Sequence, residues 1–218
     1  MMVPASERRP PLTDPPIRNV LLLPGIWMRP WTLLALARRL SVDGFAVSML
    51  AYPGVFGGPR PALARLRPAL ARVDAVVAHS LGGLMVLEAL RADPALPVRR
   101  VVCLGSPLSG SKVARRLHDG RLGVMLGRSR DLLTRGCSLP WAGQALVGSI
   151  AGSASCGFGR MLGGFPGIND GTVGIDETRW SGLADHTVVR ASHSGLLLSR
   201  DAARQAAHFL RRGQFSHG

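Results

Sequence analysis

The sequence predicts an α/β fold: a mostly parallel central sheet with helices on both faces. Three observations carry that expectation. Short apolar runs rich in valine and leucine recur along the chain, at 20–23, 75–78 and 101–104, each the length of a strand and apolar at successive positions, as strands covered on both faces are. Segments with helical apolar spacing separate them, which argues for crossover connections rather than hairpins. Finally, the run Val76-Val77-Ala78-His79 stops at Ser80, and Leu81-Gly82-Gly83-Leu84-Met85 opens a helical pattern. A strand, a sharp turn at a serine and a helix form the layout that lifts a hydroxyl clear of a sheet.

The elements follow in order. Residues 17–23 read as a buried strand, Pro24-Gly25-Ile26-Trp27 as the loop after it, and 31–40 as a helix ending in Arg38-Arg39. A second strand at 46–50 leads into turn-rich residues 52–61. Residues 62–72 form a helix that Pro68 interrupts or kinks. The strand at 74–78 enters the serine turn, and the helix at 83–91 stops at Asp93-Pro94. A strand at 98–104 follows. The next stretch is rich in Gly and Ser, with a strand at 145–151; residues 106–165 are read as a cap or insertion. The last strand is placed at 188–191. A terminal helix at 201–212 turns Ala202, Ala206, Phe209 and Leu210 inward. Residues 1–16 hold five prolines and no apolar stretch, and read as a flexible leader before a single domain at 17–218.

Length and composition agree with that plan. The chain has 218 residues, 46% hydrophobic and 18% charged, which suits one globular domain and excludes a disordered chain. No apolar run is long enough to span a bilayer, and with no secretory signal the expected location is cytoplasmic. The net charge is +14, and Lys112 is the only lysine. The arginines come in pairs spread along the chain, such as Arg38-Arg39, Arg99-Arg100, Arg115-Arg116 and Arg211-Arg212. They read as solvated cations at helix ends and strand starts, and without a binding motif no specific nucleic acid is expected. Cys103, Cys137 and Cys156 lack metal-ligand spacing; Cys103 reads as a core thiol, and a bridge between the other two is not expected without secretion.

The turn around Ser80 is the center of the functional reading. In so tight a turn the positions two before and two after the serine must be small, and here they are Ala78 and Gly82. A serine hydroxyl is a poor nucleophile until a base takes its proton and a third group orients that base. In this chain architecture the order is serine, acid, histidine. Of six histidines, His193 is chosen as base, because Ser192-His193-Ser194-Gly195 directly follows the last strand at its carboxyl end. His186 precedes that strand and is expected at the opposite edge; His208 and His217 belong to the terminal helix and tail. His79 adjoins the nucleophile, is expected to point away from its hydroxyl, and is assigned to packing. Asp170, in Asn169-Asp170-Gly171-Thr172-Val173, is the chosen acid. Asp176 is its competitor, while Asp185 shares the edge expected for His186. Two backbone amides should meet the oxyanion of an acyl-transfer transition state: that of Leu81 and that of Ile26, with Trp27 in reserve. Trp27, Met28, Leu81 and Leu108 are candidate walls of an acyl pocket.

Four segments together resemble the α/β-hydrolases of the bacterial lipase and esterase type: Leu22-Leu23-Pro24-Gly25-Ile26-Trp27, Ala78-His79-Ser80-Leu81-Gly82-Gly83, Asn169-Asp170-Gly171-Thr172-Val173 and Ser192-His193-Ser194-Gly195. The resemblance implies Ser80 as nucleophile, Asp170 as acid, His193 as base, and Ile26 and Leu81 as oxyanion donors. Two positions depart from the family pattern: Pro24 stands where many relatives have histidine, and Ala78 where glycine is usual. The expected activity is hydrolysis of a small-molecule or lipid carboxylic ester through an acyl-enzyme, with no metal or organic cofactor. The alternatives are a thioesterase, amidase or acyltransferase using the same triad, and a non-catalytic scaffold with this fold.

Overall fold

The computed structural model describes residues 15–52, 58–119, 123–155 and 167–217. Most of the leader at 1–14, part of the turn-rich segment, residues 120–122 and 156–166 of the proposed cap, and Cys156 lie outside them.

Six parallel strands form one sheet in the order β2-β1-β3-β4-β5-β6. They are β1 Asn19–Leu23, β2 Ala46–Met49, β3 Ala75–His79, β4 Arg100–Leu104, β5 Leu146–Gly152 and β6 Asp185–Val189. The helices are α1 Leu34–Val42, α2 Pro59–Leu70, α3 Leu81–Ala92, α4 Lys112–Asp119, α5 Arg130–Arg135 and α6 Arg200–Arg212.

The continuous apolar runs are explained by two helical layers. Side chains alternate across a strand. Leu21, Leu23, Val76, Ala78, Val101 and Cys103 therefore meet one layer, with Leu66 and Leu70 of α2 and Leu84 and Leu87 of α3. Val20, Leu22, Ala75, Val77, Val102 and Leu104 meet the other, with Leu36 and Leu40 of α1 and Ala206 and Phe209 of α6. All five residues of β3 and of β4 are buried. Among the described residues no helix is long and apolar enough to cross a membrane.

The sheet order reverses at β1. The chain leaves β1 toward β2 on one side and returns to β3 on the other, pairing Leu23 with Ala78. In open parallel sheets such a reversal opens a crevice beyond the strands' carboxyl ends. The loop after β1 and the turn after β3 both lie there.

Several expectations shift. α3 starts at Leu81, not at residue 83, because Gly82 and Gly83 pack closely instead of delaying the helix: a Cβ on Gly82 would lie 2.8 Å from the Pro24 carbonyl oxygen. α2 continues through Pro68 to Leu70; a proline so near the end removes only one terminal bond. The last strand is Asp185–Val189 rather than 188–191. It is an edge strand, where one covered flank suffices, so polar Asp185 and His186 are tolerated inside it. Arg100 is not solvated: it is 5% exposed, and its guanidinium donates to the carbonyls of Phe209 and Leu210 at 3.3 and 3.2 Å, closing the end of α6.

Between β4 and β5 lie α4, a 3-10 segment at Gly123–Ser129 and α5. Glu177 ties α4 to the loop that carries Asp170. Its buried carboxylate accepts from the backbone amides of Lys112, at the start of α4, and Gly174. Burial raises the Glu177 pKa.

Candidate active site

Ser80 sits between β3 and α3 with φ 52° and ψ −121°. An L-residue there crowds its Cβ against its own backbone, so the turn stores strain. Two bonds hold it: the Ser80 amide donates to the Leu104 carbonyl at 2.9 Å, and the Gly83 amide donates to the Ser80 carbonyl at 3.1 Å. Leu81 is the first residue of α3, where an amide has no intrahelical acceptor.

Trp27 has φ 60°, and Trp27 and Ser80 are the two non-glycine residues with positive φ among the described residues. Trp27 occupies the third position of a turn closed by the Met28 amide on the Gly25 carbonyl at 3.3 Å, a position that favors glycine. The amides of Ile26 and Trp27 have no hydrogen-bond acceptor among the described residues. Both strained residues line one cavity of about 300 Å³, the co-location expected where strain serves a site.

Asp170 and His193 meet at the same edge. His193 Nδ1 lies 2.8 Å from Asp170 Oδ2, with the carboxylate 1% and the imidazole 13% exposed. The other carboxylate oxygen, Oδ1, accepts from the Thr172 amide at 2.9 Å and the Val173 amide at 2.7 Å. The His193 amide donates to the Asp170 carbonyl at 2.9 Å, so the two loops are joined through backbone and side chain together. A carboxylate fixed this way favors the imidazole tautomer with Nδ1–H toward Asp170, which leaves Nε2 as an acceptor. His193 lines the cavity beside Ser80.

The competitors lie elsewhere. Asp176 pairs with Lys112 Nζ at 2.6 Å, and that hydrogen bond lowers its pKa. Asp185 is engaged by His217 at 2.9 Å. His186 is inside β6, not before it, and its Nε2 faces the Thr178 hydroxyl at 2.9 Å. Burial, with Arg179 nearby, pushes its pKa down to about 4.

Of the proposed pocket residues, Trp27 and Met28 line the cavity, joined by Ile26, while the Leu81 side chain is buried in the core. Leu108 does not: it is fully buried in the core beneath, held by its carbonyl's bond to the Cys137 amide at 2.8 Å. The apolar wall comes instead from Val113, Ala114 and Leu117 of α4, Leu126, and Leu133 of α5.

Two residues escaped sequence reasoning. His79 was assigned to packing, yet its Nε2 lies 2.9 Å from the His193 carbonyl and the two rings stand 4.6 Å apart. A carbonyl only accepts, so Nε2 carries the proton and buried Nδ1, which has no partner among the described residues, is a bare acceptor. Burial, aided by His193, pushes the His79 pKa down to about 3 and keeps the ring neutral. Gly105, at the end of β4, has φ 56°, and a Cβ there would lie 3.1 Å from both Asp170 Oδ2 and His193 Nδ1. Its signal was a glycine directly after an apolar strand.

No family model matches the chain, and no curated protein matches it. Solved structures do. The mature form of the Bacillus licheniformis lipase BlEst2 superposes with a TM-score of 0.67 at 18% identity, covering 91% of this chain and 94% of that one. An alpha/beta hydrolase fold protein from Chitinophaga pinensis gives 0.60 at 12% identity, covering 91% of each chain. The thioesterase domain from the curacin biosynthetic pathway gives 0.53 at 15% identity, covering 89% of this chain and 90% of that one. With its six-stranded parallel sheet between two helical layers, the chain has the α/β-hydrolase fold.

Proposed function

We propose that the protein is a serine hydrolase that cleaves carboxylic esters through an acyl-enzyme. One observation carries the reading: a serine strained into the left-handed region shares a cavity with a histidine whose far nitrogen is fixed by a buried carboxylate. In this reading Ser80 Oγ attacks the ester carbonyl while His193 Nε2 takes its proton. Asp170 holds the imidazole and stabilizes its charged form. The tetrahedral oxyanion is met by the amides of Leu81 and Ile26, which lie at the carboxyl ends of adjacent strands. His193 returns the proton to the leaving alcohol, and water releases the acid by the same steps reversed in role.

The cavity favors an apolar acyl group. Its volume of about 300 Å³ is at the lower end of small-molecule sites, and α4 and α5 contribute aliphatic walls. The named lipase among the structural neighbors supports an ester substrate. The thioesterase domain supports a second reading, in which the same acyl-enzyme forms from a thioester. Rates on nitrophenyl esters of increasing chain length, with matched thioesters, test both. Ester turnover should peak at short to medium acyl chains, and Ser80→Ala should lower it by about 10⁴-fold or more. Retention of most activity in Ser80→Ala refutes the assignment.

A further inference from the structure

A second concavity, of about 660 Å³, lies on the opposite helical layer, between α1 and α6. Six arginines line it: Arg38 and Arg39 from α1, and Arg200, Arg204, Arg211 and Arg212 from α6. They are far apart in sequence, and the parallel docking of the two helices brings them together. Two carboxylates oppose them. Asp201 pairs with Arg204 at 3.0 Å, and Asp43, itself in the groove, lies 3.8 Å from Arg211. Arg38, Arg39, Arg200 and Arg212 have no ion pair among the described residues. Arg39 Nη1 is buried in the groove wall without a hydrogen-bond partner among the described residues. An unanswered guanidinium donor inside a cationic groove is the chemistry of a phosphate site.

The rim shows which phosphates. Trp31, in the turn entering α1, is 65% exposed; Leu34 is 42% and Val42 89% exposed. With Arg38 they recur every three or four residues, so they form one outward stripe along α1. Leu198, just before α6, is 63% exposed. A nucleic-acid backbone would satisfy the arginines and leave this apolar stripe in water. An anionic bilayer surface takes both, with arginines at the headgroups and Trp and Leu at the acyl boundary.

We propose that the α1–α6 face docks on a membrane surface rich in anionic phospholipid. α1 and α6 both begin at the carboxyl edge of the sheet, and Trp27, four residues before Trp31, lines the Ser80 cavity. The Trp31 end of the docked face is therefore the end nearer that cavity. The docking does not depend on the hydrolase reading.

Vesicle cosedimentation in the Ser80→Ala background tests it, because no lipid is then consumed and binding is read apart from hydrolysis. The protein should bind phosphatidylcholine vesicles containing phosphatidylglycerol, and bind pure phosphatidylcholine at least about 10-fold more weakly. Each basic residue near such a surface contributes about five-fold, so combined Arg38→Gln, Arg200→Gln and Arg204→Gln should weaken binding by roughly 100-fold. The same three positions changed to Lys should retain it, which separates charge from any fault in folding. Trp31→Ser should weaken binding at high salt as well as low. With groove residues outside the catalytic cavity, hydrolysis of a soluble ester by the Gln variant in the Ser80 background should match that of the parent. Equal binding to both vesicles, or undiminished binding of the Gln variant, overturns the proposal. So does binding to a DNA duplex as tight as to anionic vesicles and lost in the same variant, which would assign the groove to nucleic acid.

Discussion

Replacing Gly105 by alanine tests whether the Asp170–His193 pair operates where the structure puts it. The added methyl would lie 3.1 Å from both Asp170 Oδ2 and His193 Nδ1, and 2.9 Å from Leu196 Cδ1. The two polar atoms are themselves 2.8 Å apart. The pair must therefore shift by a few tenths of an ångström. A misplacement of about 1 Å near the chemistry costs about 10²-fold, so roughly a 10-fold loss of kcat is expected. The backbone adds its own penalty, since φ 56° costs an L-residue about 1–2 kcal/mol. Gly44→Ala separates the two effects: φ there is 90°, yet no atom lies within 4 Å of the added methyl. It should lose comparable stability and no activity. Thermal unfolding and kcat on a soluble nitrophenyl ester measure both quantities. If Gly105→Ala matches Gly44→Ala in stability and keeps full kcat, the pair has no part in turnover.

Further outcomes follow from the same geometry. Asp170→Asn should lower kcat by roughly 10³- to 10⁴-fold through a wrong histidine tautomer, while Asp176→Asn, which loses only the Lys112 pair, should cost little; steady-state kinetics on both decides between them. His79→Phe keeps a ring beside His193 but leaves its carbonyl without a donor, so about 1–3 kcal/mol of stability and some 10-fold in kcat should be lost. The buried neutral histidines also set a pH dependence. His79 titrates at about 3 and His186 at about 4 in the folded chain, below the unfolded reference of about 6.5. The unfolded state then binds more protons in that window, so stability is full above about pH 6.5 and falls on acidification. Each histidine contributes a slope of about 1.4 kcal/mol per pH unit. Urea unfolding at stepped pH should show His79→Phe lowering the slope by about 1.4 kcal/mol per pH unit between about pH 6 and 4, and an unchanged slope contradicts the burial argument.

The strand and helix order was legible because buried parallel strands are apolar on both faces: β1, β3 and β4 declare themselves as continuous runs. The turn at Ser80 was legible for a steric reason, since Ala78 and Gly82 are the small residues it requires. β6 was misplaced because an edge strand tolerates Asp185 and His186, which hide its start. Leu108 was read as pocket wall because sequence shows an apolar residue but not whether the space beneath it is core or cavity. The α4 and α5 walls could not be seen, since their register over the cavity depends on tertiary contacts such as Glu177 with Lys112. His79 and Gly105 act on His193 across more than 80 residues of chain, through a carbonyl and an absent side chain, and neither leaves a pattern. The arginines at 38, 39, 200, 204, 211 and 212 looked scattered because only the docking of α1 beside α6 gathers them.

The most direct test of the central assignment is the site of covalent capture by a fluorophosphonate, read as intact mass and mapped by peptide sequencing. A hydroxyl reacts only when its proton can be taken. One adduct is predicted, on Ser80; it should be absent in Ser80→Ala, strongly slowed in His193→Ala and unchanged in His186→Ala. An adduct on another residue, or full labeling of Ser80 in His193→Ala, would contradict the account.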